Sequence, residues 1–131
     1  MAYGHIASIG KINVSYGTAD NETVLLTIDN ILCFTSTISG VTRNDGLMFA
    51  TLPAEIPNPS RFMMFPAVYY DTEYRLGIFY LNTNGNIGTE QNLSNATVYL
   101  NGISLNMNND YYNDTIGNND MSAMTTPMTA R

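Results

Sequence analysis

The chain has few of the residues on which enzyme sites and metal centres usually depend. Its 131 residues include one cysteine, one histidine and no tryptophan. Cys33 cannot form a disulfide within the chain, and its apolar neighbours predict a small buried hydrophobe. His5, in a glycine-flanked segment near the N-terminus, would have to serve any Ser-His-Asp or Cys-His group. No second His or Cys exists from which to build a zinc site, so we expect no metal and no cofactor.

Carboxylates are the remaining residues that could form a catalytic or metal site. Asp71, Glu73, Glu90 and Asp110 could supply the two acids of a glycosidase, but any β-protein with several acids offers as much. The acids and asparagines between 110 and 120 could donate oxygens to calcium, yet their spacing differs from that of an EF-hand. We therefore expect a protein that is not an enzyme.

Charge is also scarce. Only 12% of the residues are charged, against about a quarter in an ordinary globular domain, and the net charge is −6. The five basic residues are scattered, which argues against a nucleic-acid partner. No run of 18 apolar residues occurs, and the first residues lack the pattern of a secretory signal. These features predict a soluble protein that is made in a cytoplasm and does not insert into a membrane.

Short strand patterns recur about every ten residues, whereas helical periodicity is weak. The length suits one domain. Many short strands without helices predict an all-β fold, an antiparallel β-sandwich of jelly-roll-like type with an irregular C-terminal tail. We place an N-terminal segment at 1–10, the sandwich at 11–107 and the tail at 108–131. The candidate strands are 11–16, 23–29, 31–38, 47–52, 62–70, 75–81 and 97–105.

Turn residues support this division. Asp45-Gly46 and Asn84-Gly85 are dipeptides that commonly close hairpins. At Asn101-Gly102 the apolar alternation changes phase, which either a hairpin or a bulge would explain. Pro66 indicates an edge position or a bend, because proline cannot donate to a strand ladder.

Two candidate strands are apolar on both faces. In 75–81, Leu76 and Ile78 alternate with Phe79 and Leu81, and 62–70 is almost continuously apolar. A strand in a small monomeric sandwich should have one polar, solvent-exposed face. We therefore expect a loop, a second sheet or another subunit to cover these segments. We predict an oligomer.

Residues 46–105 contain three motifs in a distinctive order. They read GLMFATLPAEIPNPSRFMMFPAVYY, then YRLGIFYLNTNGNIG, then ATVYLNGISL. This order resembles that of the head domains of bacteriophage tail-fibre and baseplate receptor-binding proteins. There, an apolar strand enters a Leu-Pro corner, a Pro-Ser step leads into a strand ending in proline, and a Gly-aromatic strand precedes an Asn-Gly or Asp-Gly turn. The resemblance covers about half the chain, and it favours a bulge at Asn101-Gly102.

The resemblance implies a homotrimer in a phage virion that adsorbs to a host cell-surface saccharide without catalysis. Head domains usually follow a fibrous shaft, whereas here about ten residues precede the first expected strand. The alternative is a structural virion subunit that contacts other virion proteins, such as a head fibre, a capsid decoration protein or a baseplate or tail accessory protein. A depolymerase is disfavoured by the missing catalytic group.

The best binding candidate is a loop rich in tyrosine and acids. Aromatic rings stack on sugars, and carboxylates hydrogen-bond to hydroxyl groups, often on loops at strand ends. The alternative is a hairpin tip whose tyrosines only pack on the rim. A second, weaker candidate lies in the tail. The candidate saccharide residues are Tyr69, Tyr70, Asp71, Glu73 and Tyr74 in the loop, and Tyr112 and Asp114 in the tail.

The tail at 108–131 differs in composition from the rest of the chain. Met121, Met124 and Met128 have a spacing that would place them on one helical face. Methionine is an adaptable contact residue, so this tail is either a segment that docks on a neighbour or a frayed terminus.

Overall fold

The computed structural model describes residues 5–44 and 47–107. These residues form twelve β-strands in two antiparallel sheets, and no helix occurs among them, which confirms the all-β antiparallel fold. The strands are β1 (Ile6–Lys11), β2 (Asn13–Val14), β3 (Thr18–Ala19), β4 (Thr23–Thr27), β5 (Ile31–Phe34), β6 (Thr37–Arg43), β7 (Leu47–Thr51), β8 (Met63–Tyr70), β9 (Tyr74–Leu81), β10 (Asn86–Thr89), β11 (Leu93–Tyr99) and β12 (Ser104–Asn106).

The smaller sheet has four strands in the order β1-β4-β5-β12. Its first strand begins at Ile6, inside the segment 1–10 that the sequence analysis placed before the sandwich. Ile6 and Ile9 are both exposed, so the segment lacks a strong alternation of buried and exposed residues. Backbone pairing with β4, from Ile6 opposite Thr27 to Lys11 opposite Thr23, defines the strand instead.

The larger sheet has eight strands in the order β2-β7-β10-β9-β8-β11-β6-β3. Its two outermost strands, β2 and β3, are consecutive in the chain and separated only by Ser15, Tyr16 and Gly17. This short connection draws the two edges of the sheet together, so the sheet curls almost into a barrel. Closing a sheet in this way removes exposed edges, which otherwise invite association with other chains.

Two segments expected to be single strands pass from one sheet to the other. The expected strand 31–38 divides into β5 and β6, and the expected strand 97–105 divides into β11 and β12. The two crossings lie side by side: Leu100 N donates to Ser36 O, and Gly102 N donates to Phe34 O. Asn101-Gly102 is therefore a corner between sheets, neither a bulge within one strand nor the tip of a hairpin, and that expectation was wrong.

Asn84-Gly85 closes the hairpin between β9 and β10, with Gly85 at φ +87°, as predicted. Pro66 lies in β8, in the part of that strand that precedes its pairing with β11 at Val68. Asp45-Gly46 lies outside the described residues, and the strands on either side of it, β6 and β7, pair with other strands.

The core lies between the two sheets and is joined by aromatic contacts. Phe34 of the smaller sheet stacks on Phe65 of the larger one, with ring centroids 6.3 Å apart. Phe65 in turn stacks on Phe79, which also meets Phe49 and Tyr69 edge-on. Because such aromatic pairs add to the free energy of burial, this row of rings fixes one sheet against the other.

Candidate functional site

The β8–β9 hairpin carries most of the candidate site. Its two strands pair continuously from Met63 opposite Leu81 to Tyr70 opposite Tyr74. Side chains alternate between two faces, as the pleat of a strand requires. The inner face is buried and includes Phe65, Tyr69 and Phe79. The opposite face, which we call the outer face of the hairpin, is exposed although most of its residues are apolar.

The outer face is formed by cross-strand pairs. Met64 lies opposite Tyr80, and Val68 lies opposite Leu76. Leu76 is 72% exposed and Met64 is 56% exposed. Phe62, which precedes β8, stacks on Tyr80 with a centroid distance of 5.4 Å. The outer face consists of Phe62, Met64, Pro66, Val68, Tyr70, Tyr74, Leu76, Ile78 and Tyr80.

Three tyrosines cluster at the distal end of this face. Tyr70 and Tyr74 are edge-to-face with centroids 4.8 Å apart, and Tyr74 lies 6.1 Å from Tyr99 of the neighbouring strand β11. A side-chain hydrogen bond with Tyr74 raises the pKa of Tyr99 above its ordinary value. These ring contacts join Tyr70, Tyr74 and Tyr99 into one aromatic surface, the tyrosine cluster.

Ion pairs hold the hairpin tip beside this cluster. Arg75 Nε lies 2.9 Å from Asp71 Oδ1, and its terminal nitrogen lies 3.0 Å from Glu73 Oε2. The hydrogen bond to Asp71 and then the charge of Glu73 raise the pKa of Arg75. Glu73 is 66% exposed at its side chain, so its carboxylate stays accessible to a ligand. Arg75 lies opposite Tyr69 in the pairing register, so its side chain leaves the hairpin on the face opposite the tyrosine cluster, and the ion pairs close the tip from that side.

The backbone at the tip is strained at one residue. Thr72 has φ +72°, a region that β-branched residues seldom occupy. Asp71 N donates to Glu73 O across this residue, which closes the loop tightly. Strain of this kind costs on the order of 1 kcal/mol and is common where a structure holds side chains for binding.

We expect Thr72→Asn to raise the free energy of unfolding by about 0.5 to 1 kcal/mol, because asparagine tolerates positive φ and is not β-branched. Urea denaturation followed by circular dichroism would measure the change. Thr83→Asn in the β9–β10 turn is a control, since Thr83 is not among the residues with positive φ. An equal gain at both positions would contradict the strain at Thr72.

The free edge of β9 near the cluster is covered by side chains. β10 pairs only with Phe79, Tyr80 and Leu81 of this strand. Just before them, Ile78 N donates to Gln91 Oε1 and Ile78 O accepts from Thr89 Oγ1. These side chains replace a strand neighbour and limit edge-to-edge pairing. Association through this hairpin is therefore expected to use its outer face.

A small cleft lies elsewhere on the molecule. Its volume is about 190 Å³, and it lies between the smaller sheet and the loop before β8. Ligand pockets usually exceed about 300 Å³, so this cleft suits at most a small group. It is lined by Leu26, Asn30, Pro57, Asn58, Pro59, Ser60 and Met107.

The structure brings together four of the seven candidate residues, namely Tyr70, Asp71, Glu73 and Tyr74. Tyr69 points the other way, is 8% exposed and packs edge-on against Phe79, so it serves the core. Tyr112 and Asp114 lie outside the described residues. Tyr99 joins the cluster although the sequence analysis did not select it. The alternation of Val98 and Leu100 was the available signal, since it places Tyr99 on the opposite face.

No matching family, curated protein or solved structure was found for this chain. Within residues 5–44 and 47–107, no three His, Cys, Asp or Glu side chains gather in a way that could hold a metal ion. The same part of the chain contains no helix long and apolar enough to cross a membrane. The site is thus defined by its own geometry, as an aromatic surface with adjacent acids on an antiparallel β-domain.

Proposed function

We propose that this domain is a non-catalytic binding module of a phage virion, which adsorbs to a saccharide on the host cell surface. The observation that carries the proposal is the tyrosine cluster. Tyr74 is 69% exposed and Tyr70 is 40% exposed. An exposed aromatic ring presents a flat apolar surface with a polar hydroxyl, which suits the mixed apolar and polar faces of a sugar ring.

Polar groups next to the cluster support the same ligand class. Glu73 and Arg75 hold each other in place, which limits the loss of side-chain freedom when a ligand binds. Carboxylate oxygens accept hydrogen bonds from sugar hydroxyls. Asp71 follows Tyr70 and Glu73 precedes Tyr74 in the chain, so a sugar bound on the two rings would lie near both carboxylates.

The virion assignment depends on the resemblance of the three motifs in 46–105 to phage receptor-binding heads. The antiparallel sandwich agrees with that resemblance. The same resemblance favours a homotrimer attached to other virion subunits, so that several identical saccharide sites would act together. Repeated weak sites give a much higher overall avidity than one site alone.

We expect Tyr74→Ala to weaken saccharide binding at least about tenfold, the factor that corresponds to 1.4 kcal/mol. The purified full chain would be screened on an array of bacterial surface polysaccharides, and the affinity for a positive glycan would be measured by titration calorimetry. Particles carrying the variant should adsorb correspondingly less to host cells. Tyr74→Phe should retain most of the affinity, because it keeps the ring.

Tyr16→Ala is the matched control. Tyr16 is 45% exposed, and its ring contacts Arg43, outside the tyrosine cluster. Equal losses at Tyr16 and Tyr74 would contradict a specific site at the cluster. Binding of the wild-type chain to none of the polysaccharides, together with unchanged adsorption of Tyr74→Ala particles, would reject the proposed function.

The alternative function is that of a structural virion subunit, such as a head fibre, a capsid decoration protein or a baseplate or tail accessory protein. The observation in its favour is the aliphatic part of the outer face, including Met64, Leu76 and Ile78, which has no role in saccharide binding. In that case Tyr74→Ala particles would adsorb normally. Cryo-electron microscopy of intact particles would then find the chain seated on the capsid or tail, away from the host-facing end.

A further inference from the structure

The aliphatic part of the outer face is a second surface, distinct from the tyrosine cluster. It runs along the β8–β9 hairpin through the pairs Met64–Tyr80, Pro66–Ile78 and Val68–Leu76. None of these residues is charged. Aliphatic side chains neither stack on sugars nor hydrogen-bond to them, so saccharide binding does not explain this surface. We call it the aliphatic strip, and it consists of Met64, Pro66, Val68, Leu76 and Ile78, with Phe62 flanking its end, where it stacks on Tyr80.

The exposed apolar area of this surface is at the upper end of what a monomer usually exposes. Met64, Val68, Leu76, Ile78 and the flanking Phe62 are between 41% and 72% exposed. Together they present a patch on the order of 500 Å². Two copies that meet along this patch would bury about 1,000 Å² in total, the area that a specific interface requires.

The charge of the chain indicates which partner fits. Each copy carries a net charge of −6, so most surfaces of two copies repel each other. The aliphatic strip is uncharged, and the acids of this hairpin, Asp71 and Glu73, lie at its tip and are paired with Arg75. Contact along the strip therefore buries no charged side chain of this hairpin. An uncharged centre with polar residues at the rim is the usual anatomy of an interface.

We propose that the aliphatic strip binds a second copy of this chain. The strip forms the centre of the contact between copies, with Leu76, the most exposed apolar residue of the strip, as an anchor. The tyrosine cluster lies at the distal end of the same face and remains available at the rim. This inference requires neither a saccharide nor a virion, and it rests on the proposed function only in that the homotrimer proposed there would assemble through this surface.

The test uses the full chain and measures its mass in solution by sedimentation velocity and light scattering, at concentrations up to about 100 μM, a range that covers micromolar dissociation constants. We expect the wild type to be oligomeric. We expect Leu76→Glu to weaken association by about a hundredfold, because it forces an unpaired charge into an apolar contact. Circular dichroism should show that Leu76→Glu folds, since the side chain is largely exposed.

Ile28→Glu is the matched control. Ile28 is 59% exposed and lies in the turn after β4, outside the larger sheet. The substitution adds the same charge to a comparable side chain, so it corrects for the greater net charge of the variant. Association should remain close to that of the wild type.

Dimers and trimers both support the inference if Leu76→Glu dissociates them and Ile28→Glu does not. A wild-type monomer at the highest concentration would overturn it, and another segment of the chain or a different protein would then have to cover the strip. An oligomer that withstands Leu76→Glu, or one that Ile28→Glu dissociates equally, would also overturn it. Saccharide titration of the same variants separates this result from the fate of the proposed function.

Discussion

Phe79→Ala is expected to lower the free energy of unfolding by about 3 to 5 kcal/mol, the usual cost of removing a buried phenylalanine. Phe79 is fully buried, and its ring touches those of Phe49, Phe65 and Tyr69. Removing it opens a cavity at the point where these contacts converge. Because a small domain is stable by only about 5 to 15 kcal/mol, a substantial part of the fold's stability would be lost.

Urea denaturation followed by far-ultraviolet circular dichroism would measure this loss. Phe62→Ala is the control, since Phe62 is 47% exposed, and should cost less than about 1 kcal/mol in the dissociated chain. Phe79→Leu should recover part of the stability because it refills much of the cavity. Similar losses for Phe62→Ala and Phe79→Ala would contradict the central place of Phe79 in the core.

The alternation of apolar residues predicted much of the larger sheet. It separated Phe79 and Leu81 from Leu76 and Ile78, and the structure buries the first pair and exposes the second. That prediction succeeded because the pleat of a strand fixes side-chain direction regardless of which strands are neighbours. The same alternation left the second face apolar, and the structure leaves that face exposed.

Strand boundaries at the sheet crossings could not be predicted in the same way. The segment 31–38 contains no proline or glycine, so no local signal marks the corner after Phe34. The corner is instead held by long-range bonds: Thr35 Oγ1 donates to Thr23 O, and Ser36 Oγ donates to Asn21 O. These partners are 12 and 15 residues away in sequence, so local propensities cannot predict the bonds or the corner that they hold. At Asn101-Gly102 the sequence shows that the apolar alternation changes phase. That change marks a corner because β11 and β12 belong to different sheets, which the sequence alone does not show.

In the candidate site, too, contacts between residues distant in sequence could not be predicted. The loop after β8 was identified from its tyrosines and acids, and alternation alone would have assigned Tyr69 and Tyr70 to opposite faces. Alternation placed Tyr99 on the face opposite Val98 and Leu100, but it could not place Tyr99 beside Tyr74, because that contact requires β11 to pair with β8. Residue types therefore indicated the chemistry of the site, whereas strand order determined its composition.

The seam of the larger sheet, where its edge strands β2 and β3 come together, depends on Gly17. This residue lies between β2 and β3 with φ +132°, which only glycine adopts readily. A Cβ atom placed there would lie 2.7 Å from Ser39 O and 3.1 Å from methyl groups of Ile38 and Val41. The carbonyl belongs to β6, the strand that pairs with β3. Any side chain at this position would push the two edges of the sheet apart.

We expect Gly17→Ala to cost about 3 kcal/mol, from backbone strain together with the steric clash. Gly102→Ala separates the two effects: Gly102 has φ +87°, but an added Cβ would meet no atom within 4 Å. That control should cost only about 1 kcal/mol, the strain alone. Urea denaturation would measure both, and hydrogen exchange should show faster exchange in β3 and β6 of Gly17→Ala. Equal costs at the two glycines would mean that the seam tolerates a side chain and that closure of the sheet does not depend on Gly17.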